Sequence, residues 1–532
     1  MKKIIVLTVF TFLNISVFGQ GTFSGDLMMN LNFFQRDSSI KAANNPLYDN
    51  YLSGSEGWLN LRYSNNDKGI SVFARVDAFN NSNLYNPSQA MTGFGLGAWG
   101  ATKQFKDLTI TAGYIYDQIG SGALFRAYED RGLLIDNALV GLELKYKLTD
   151  NILLKGFTGQ QKNVSRTGQA SPYYGPIIKG FNAEGDFTIK SKIHILPGIG
   201  MLNRTLDAAS MASVAATINN QDTGSRFEPM YNMYAFTVYN TLTIGDFSWY
   251  AEGAYKTHEA ILVNGGLIDK PGNLQFTTIG YAKKGIAINL TGKRTENFVM
   301  RTSPNEVLTN GMLNWQPIVA RIRPERLMAR YTPASQDVSE QAGGIDVLIS
   351  PKDNLSYTFN YAHINTLDNV ALYREIYGEV NYQNNTWVVQ GGIQYMQYNQ
   401  EVYQVKPGVP MIFAFTPFGE ITYRFTPKKS LRFEAQYMST KQDYGSWIFA
   451  LLEYDIAPKW AISFSDMYNV TPNYAVVAKA NNYYNLYVAY TKGPHRFSLA
   501  YVKQVDGINC AGGVCRYEPA FSGVKGTVTS SF

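Results

Sequence analysis

The chain has 532 residues and 45% apolar residues. Its mean hydropathy is only −0.18, and past the leader no stretch is apolar for the roughly 20 residues a membrane helix needs, so a helical membrane protein is excluded. The formal charge is +6, or +4 once Lys2 and Lys3 leave with the leader, and no basic block stands out; nucleic acid is excluded as a partner. His194, His258, His363 and His495 lie on separate segments without metal-ligand spacing, so neither a metal nor another cofactor is expected.

The chain opens MKKIIVLTVFTFLNISVFGQ. Lys2 and Lys3 form a positive start, residues 4–13 an apolar stretch, and small residues precede a cleavage point after Gly19. This is the pattern of a secretory signal peptide, residues 1–19, with one domain following over residues 20–532.

From there the sequence alternates apolar and polar residues in segments of about ten, separated by turn chemistry. The first strand is expected near 22–36. Hairpins follow over 55–64 and 69–79, 93–105 and 107–117, 137–147 and 151–160, and 180–190 and 192–202. Further pairs are expected over 229–244 and 246–256, and over 273–283 and 285–296. After a long irregular stretch come 341–350 with 354–364, 370–383 with 386–398, 412–426 with 429–440, 444–456 with 459–470, and 482–491 with 495–504. Within a pair the connection is short and rich in Asn, Asp, Gly, Pro and Lys, as tight turns demand; between pairs it is longer. No helical periodicity breaks the pattern.

The faces of these strands sort cleanly. Leu355, Tyr357, Phe359 and Tyr361 oppose Ser356, Thr358 and Asn360; Leu431, Phe433, Ala435 and Tyr437 oppose Arg432, Glu434 and Gln436. Successive side chains of a strand point to opposite faces, and a charge on a lipid-facing midplane costs about 2–4 kcal/mol. The charged set (Arg62, Arg75, Asp77, Glu143, Lys145, Lys155, Lys293, Glu375, Glu379, Arg432, Glu434, Lys525) is therefore expected inside. The last stretch, GVKGTVTSSF, keeps period two and ends on Phe532. It resembles the closing strand of a bacterial outer-membrane barrel, whose terminal aromatic serves as the insertion signal. The fold expected is all-β: one large antiparallel transmembrane β-barrel of about 24 strands, range 22–26, with short periplasmic turns, long outer loops and both termini periplasmic.

Two stretches stand apart. Residues 120–141 read GSGALFRAYEDRGLLIDNALVG, compact and charged where an outer loop belongs. Arg126, Glu129, Asp130, Arg131 and Asp136 have the composition of an ion-pair network that folds this segment into the lumen as a constriction; the alternative is an Ω-loop bracing the wall. Residues 297–340 carry Arg301, Arg321, Arg323, Arg326 and Arg330 against Glu306, Glu325, Asp337 and Glu340. Such arginines suit anionic solutes or lipopolysaccharide phosphates, or they pair with wall carboxylates. A third arrangement sets them across the lumen from Glu375 and Glu379, with Arg432 and Glu434 also lining it, so that a transverse field selects solutes. Cys510 and Cys515, in NCAGGVC, are expected to form a loop disulfide in an exported chain.

The run Gly120-Ser-Gly122, Leu124-Phe125-Arg126, Tyr128-Glu129, Ile135-Asp136-Asn137 resembles a block of an uncharacterised family of Bacteroidota outer-membrane proteins, described as porin-like. Asp130 stands where that family more often has Glu. Asn314-Trp315-Gln316-Pro317 is similar to a second, looser block of the same family. The resemblance implies fold and compartment, not chemistry.

Three functions follow. The first is a porin-like channel for a solute, the first strand beginning too close to the cleavage point for a plug domain to precede it. The second is a structural or assembly subunit with a loop-filled lumen. The third, an outer-membrane enzyme, lacks a catalytic cluster in sequence and is not the expectation. The partners expected are outer-membrane lipid and lipopolysaccharide, the barrel-assembly machinery during insertion, and surface lipoproteins or other barrels.

Overall fold

A computed structural model describes residues 21–86, 90–263, 265–335, 338–477, 479–511 and 514–532, with the side chains of 509–511 left out. The expected signal peptide, Asp337 and the Cys510 side chain lie outside what is described. The rest forms a closed antiparallel barrel of 24 strands.

The strands are β1 (Thr22–Phe34), β2 (Ser53–Asn65), β3 (Ile70–Ser82), β4 (Met91–Gln104), β5 (Leu108–Ile115), β6 (Leu139–Thr149), β7 (Ile152–Lys162) and β8 (Tyr173–Gly185, continued by Phe187–Ile189). Then come β9 (Ile193–Thr205), β10 (Asn232–Ile244), β11 (Phe247–Val263), β12 (Gly266–Lys283), β13 (Ile286–Glu296), β14 (Glu340–Lys352), β15 (Leu355–Thr366) and β16 (Ala371–Gln383). The remainder are β17 (Trp387–Tyr398), β18 (Ile412–Thr426), β19 (Lys429–Met438), β20 (Gly445–Ile456), β21 (Trp460–Pro472), β22 (Asn482–Lys492), β23 (His495–Gln504) and β24 (Phe521–Ser531). Each strand pairs with its neighbours in sequence, and β24 closes the ring against β1 with Leu27 opposite Ser530 and Phe33 opposite Val524. A closed ring leaves no unpaired edge, which is what a bilayer requires of a sheet.

The wall is inside out relative to a soluble protein. On β10, Met233, Ala235, Thr237 and Tyr239 are buried, while Phe236 and Val238 are 45% and 61% exposed. The most enclosed side chains include Arg75, Arg204 and Lys256, whereas Tyr357, Phe359, Phe433 and Leu486 face outward and stay exposed. Apolar residues on the outside and charges within make the outer surface that of a membrane-spanning barrel.

One end of the barrel carries tight turns and the other the long connections. Gly245 and Gly493 take positive φ at the turn end, a region glycine enters without a Cβ clash. The loop end departs from the sequence expectation in several places, β8 for one beginning at Tyr173 where the strand is expected from residue 180. The loop after β9 contains a helix, α1 (Ala208–Asn219), which buries Met211, Val214 and Ile218 beneath Ala260 and Leu267. β11 and β12 also run on past the expected ends at residues 256 and 273, to Val263 and from Gly266. Their pairing shifts register between Lys256 and Glu259. That bulge interrupts the alternation, and so the strands read as ending there.

Candidate functional site: two loops inside the lumen

Residues 116–138 leave β5 and turn into the barrel. Ile119, Leu124 and Phe125 are fully buried, packed with Phe157, Ile178, Leu202 and Met233 from the inner wall. The loop is held along its length. Lys155 Nζ donates to the Asp117 carboxylate at 2.9 Å, and Lys145 lies 2.8 Å from its other oxygen. The Ser121 N–H donates to Glu252 on β11. Between β3 and β7 Arg75 meets Asp77, Glu129 and Asp136, and Lys162 Nζ donates to Asp77 at 2.9 Å and to Asp136 at 2.7 Å. Room for that cluster depends on Gly97, where a Cβ would collide with the Asp77 carboxylate. Arg131 pairs with Glu129 and lies 3.6 Å from Asp26 on β1. Asp130 accepts from the Leu133 N–H and stays within the loop.

Two of these carboxyls sit outside the spanning strands and are held ionised. Burial opposes the charge on Asp136, but Lys162 and Arg75 outweigh it and lower its pKa. Burial likewise opposes Asp117, and a hydrogen bond from Glu143 with the charges of Lys155 and Lys145 holds it well below the usual carboxylate range. An opposite charge within a few ångströms favours the ionised form.

Residues 297–339 follow β13 and sweep across the interior. Met300 and Leu313 pair across a short hairpin. Lys293 Nζ donates to the Pro317 carbonyl at 2.9 Å and is ion-paired with Glu340. Arg323 donates to Glu375 on β16 at 2.9 Å and to Asn360 on β15 at 2.7 Å, with its guanidinium 3.6 Å from the Tyr377 ring centroid. The Leu327 N–H donates to Gln436 on β19. Tyr331 donates to Asp443, and Arg330 lies over Trp447 at 4.9 Å.

The two loops meet inside the barrel, against the inner wall. The Arg126 N–H donates to the Leu313 carbonyl and the Trp315 N–H to the Gly122 carbonyl, both at 3.0 Å. Asn314 Nδ2 donates to the Ala123 carbonyl, and Asn137 Nδ2 to the Met312 carbonyl. The Arg126 guanidinium is centred 4.5 Å from Tyr128 and 4.8 Å from Trp315. Between them the loops touch the wall at β1, β3, β6–β16, β19 and β20. On the turn side lies a cavity of about 450 Å³ bordered by Gly120, Glu184 and Tyr250. On the loop side lies one of about 990 Å³ bordered by Arg330, Tyr444 and Tyr517. The two share no lining residue among those described.

The arginines of 297–339 do not face Glu375 and Glu379 across open water; the expected transverse field is corrected. Arg323 lies directly on Glu375, Arg321 on Asp346 at 2.6 Å, and Arg301 donates to the Asn310 carbonyl. Arg326 is exposed and makes no ion pair among the described residues. Glu379 accepts from Tyr377 and Gln390 on the wall. Arg432 holds Glu420, Glu434 and Glu453 in a wall cluster away from the loop junction. Buried charges survive only when paired, and here the pairs fasten loop to wall.

Cys515 is disulfide-bonded and stands opposite Cys510 in a small hairpin, Gly507–Ala511 with Val514–Glu518. Phe532 continues β24: its main chain exchanges hydrogen bonds with Gly25, and its ring is 41% exposed. Asp117, Lys162, Tyr377 and Asp443 were not singled out in sequence, since nothing local marks a residue whose partner lies on a distant strand. Asn314 and Trp315 had a signal: the second resemblance block.

A family of unknown function, DUF6029, matches residues 1–532. The chain belongs to that family. No curated protein matches it. Among solved structures it is similar to a ferric enterobactin receptor mutant of Pseudomonas aeruginosa, at 9% identity and TM-score 0.43, covering 96% of this chain and 80% of that one. The FrpB iron transporter from Neisseria meningitidis aligns at 9% identity and TM-score 0.42, covering 96% and 82%. The P pilus usher PapC translocation pore aligns at 8% identity and TM-score 0.38, covering 96% and 99%. Likeness at this level carries no statement about what this member of DUF6029 transports or binds.

Proposed function

We propose that this member of DUF6029 is a channel of the bacterial outer membrane, porin-like in passing a solute, and shut at rest by its own loops 116–138 and 297–339. The loop end faces outward and both termini face the periplasm. The chain is exported by its signal peptide, and Phe532 is presented to the barrel-assembly machinery. Outer-membrane lipid and lipopolysaccharide surround the wall. The reading accords with the Bacteroidota resemblance of the 120–137 block.

The observation that carries it is the loop junction. A 24-strand wall encloses far more space than the 16–18 strands that already leave an aqueous channel. Main-chain and amide hydrogen bonds with one cation–π stack, each a contact of about 1 kcal/mol, join the two obstructing loops. Such a joint separates without unfolding the wall.

Single-channel recording in planar bilayers tests this. Wild type is expected to give brief openings, and Trp315→Ala to raise the open fraction. Conductance at background level in both proteins would overturn it. That outcome would favour a structural or assembly subunit with surface lipoproteins or other barrels as partners, a reading supported by the ion pairs that fasten each loop at its wall ends.

A further inference from the structure

The lipid-facing wall is not evenly covered. Across β10–β13 it carries a hollow of about 920 Å³, bordered by Ala251, Gly253, Gln275, Thr277, Gly292 and Arg294. All six point outward: Gly253 stands opposite both Val238 and Gln275, Gln275 opposite Arg294, and Thr277 opposite both Ala251 and Gly292. The hollow exists because small side chains stand where the wall elsewhere presents Phe236, Phe359 or Phe433. A Cβ added at Gly253 would meet nothing within 4 Å.

Two polar groups here are unpaired. The Gln275 amide is exposed and makes no hydrogen bond among the described residues. Asn240 Oδ1, at the edge of the hollow, is buried without a partner. Acyl chains offer neither donor nor acceptor, so lipid leaves such amides unpaired at a cost. The hollow therefore suits a protein surface that brings hydrogen-bonding groups with it.

The same wall presents such a surface beside the hollow. Tyr361 on β15 and Ile376 on β16 stand opposite each other, outward and exposed. Gly253, Gly292 and Tyr361 lie eight residues after Gly245, Lys284 and Asp353, which begin their turns. Gln275 and Ile376 lie eight residues before Lys283 and Asn384, where their strands reach the turn end. Hollow and ridge therefore share one depth. Between them β14 turns Gly343 outward opposite Gly292, and a Cβ there would touch nothing closer than 4.0 Å. Small residues let packed membrane segments approach closely.

A ridge and a hollow at one depth, joined by a flat strand, match a rotated copy of themselves. A two-fold axis along the membrane normal at β14 seats each ridge in the other's hollow. Tyr361 then carries its hydroxyl toward the Gln275 amide, which both donates and accepts. We propose that a second copy of this chain docks here, β11–β13 of each receiving β15 and β16 of the other. The pairing needs only the lipid-facing wall, and holds whether or not the barrel conducts. It leaves Val238, on the far rim of the hollow, to lipid.

Native mass spectrometry of the full barrel, released from detergent micelles and separately from lipid vesicles, is expected to give a mass of two chains. In isolated membranes the double substitution Gln275→Cys with Tyr361→Cys is expected to yield a covalent dimer on oxidation, while each single substitution leaves one chain. Gly253→Trp fills the outward space without entering the lumen and is expected to raise the dissociation constant at least tenfold; Tyr361→Ala is expected to raise it by a similar factor. Wild-type resistance of segment 297–339 to chymotrypsin checks that each variant is folded. A mass other than two chains, a dimer indifferent to Gly253→Trp, no covalent dimer from the double substitution, or an acyl chain or a different protein seated in the hollow would each overturn the proposal.

Discussion

The Arg126 main-chain N–H donates to the Leu313 carbonyl at 3.0 Å, although 187 positions separate the two residues in the chain. Each belongs to a different loop, and both loops are also fastened to the wall at β7 and β11. This bond is one of several that join the two loops.

The side chain of Arg126 reinforces that joint by lying between Tyr128 and Trp315. Cation–π contacts of this kind contribute about 1–2 kcal/mol when partly desolvated. Arg126→Ala is expected to speed amide exchange at residues 122–126 and 313–315 by roughly 5- to 30-fold, leaving the strands unchanged. Exchange at those amides equal to wild type would show that the stack contributes nothing.

Arg323→Ala removes the charged partner of a fully buried carboxylate, Glu375, and leaves it only the Gln394 amide. Breaking a buried pair from one side costs about 3–5 kcal/mol. The segment 297–339 is expected to become cleavable by chymotrypsin near Leu327 and Tyr331 in the intact barrel. Arg323→Lys is expected to rescue only in part, since it cannot serve Glu375 and Asn360 together while lying flat on Tyr377. Protection equal to wild type in Arg323→Ala would contradict this role.

The carboxyls of Asp117 and Asp136 are held below their ordinary value of 3.8. A depressed folded pKa contributes stability that is fully present above the unfolded value and lost as pH falls through the folded one. Loop 116–138 is therefore expected to stay fastened from neutral pH down to about 4 and to loosen in stronger acid. Bilayer recordings taken stepwise from pH 6 to pH 2.5 are expected to show the open fraction rising only at the acid end. Asp136→Asn is expected to be loose at every pH. A rise already complete at pH 5 would contradict the assignment.

The outward face of β10 gives a test of the wall itself. Val238→Arg places a charge at mid-strand on the surface assigned to lipid, at a cost of about 2–4 kcal/mol. Folding into lipid vesicles, followed by urea titration, is expected to report that loss. A variant as stable as wild type would mean that this face does not meet lipid.

Most of the wall was legible in the sequence because the strand period is exact and local. Phe359 and Phe433 could be assigned outward, and Arg75 and Glu375 inward, from alternation and the cost of charge in lipid. The path of the loops was not legible, because period two says nothing of where a chain turns inward. The arginines at 321, 323 and 330 were visible as a set, but their partners Asp346, Glu375 and Asp443 are named only by the fold. Helix α1 was missed because AASMASVAATIN is mostly small residues, with its apolar anchors too few to print a stripe. The extension of β11 was missed because the bulge between Lys256 and Glu259 broke the pattern that identified every other strand.

The central claim is that residues 120–126 and 312–316 meet inside a lipid-embedded barrel and close it. Cryo-electron microscopy of the protein in lipid nanodiscs measures this most directly. The account predicts continuous density for Gly122 against Trp315 and for Arg126 against Leu313 inside a 24-strand ring. An unobstructed lumen, with both loops lying outside the barrel, would contradict it.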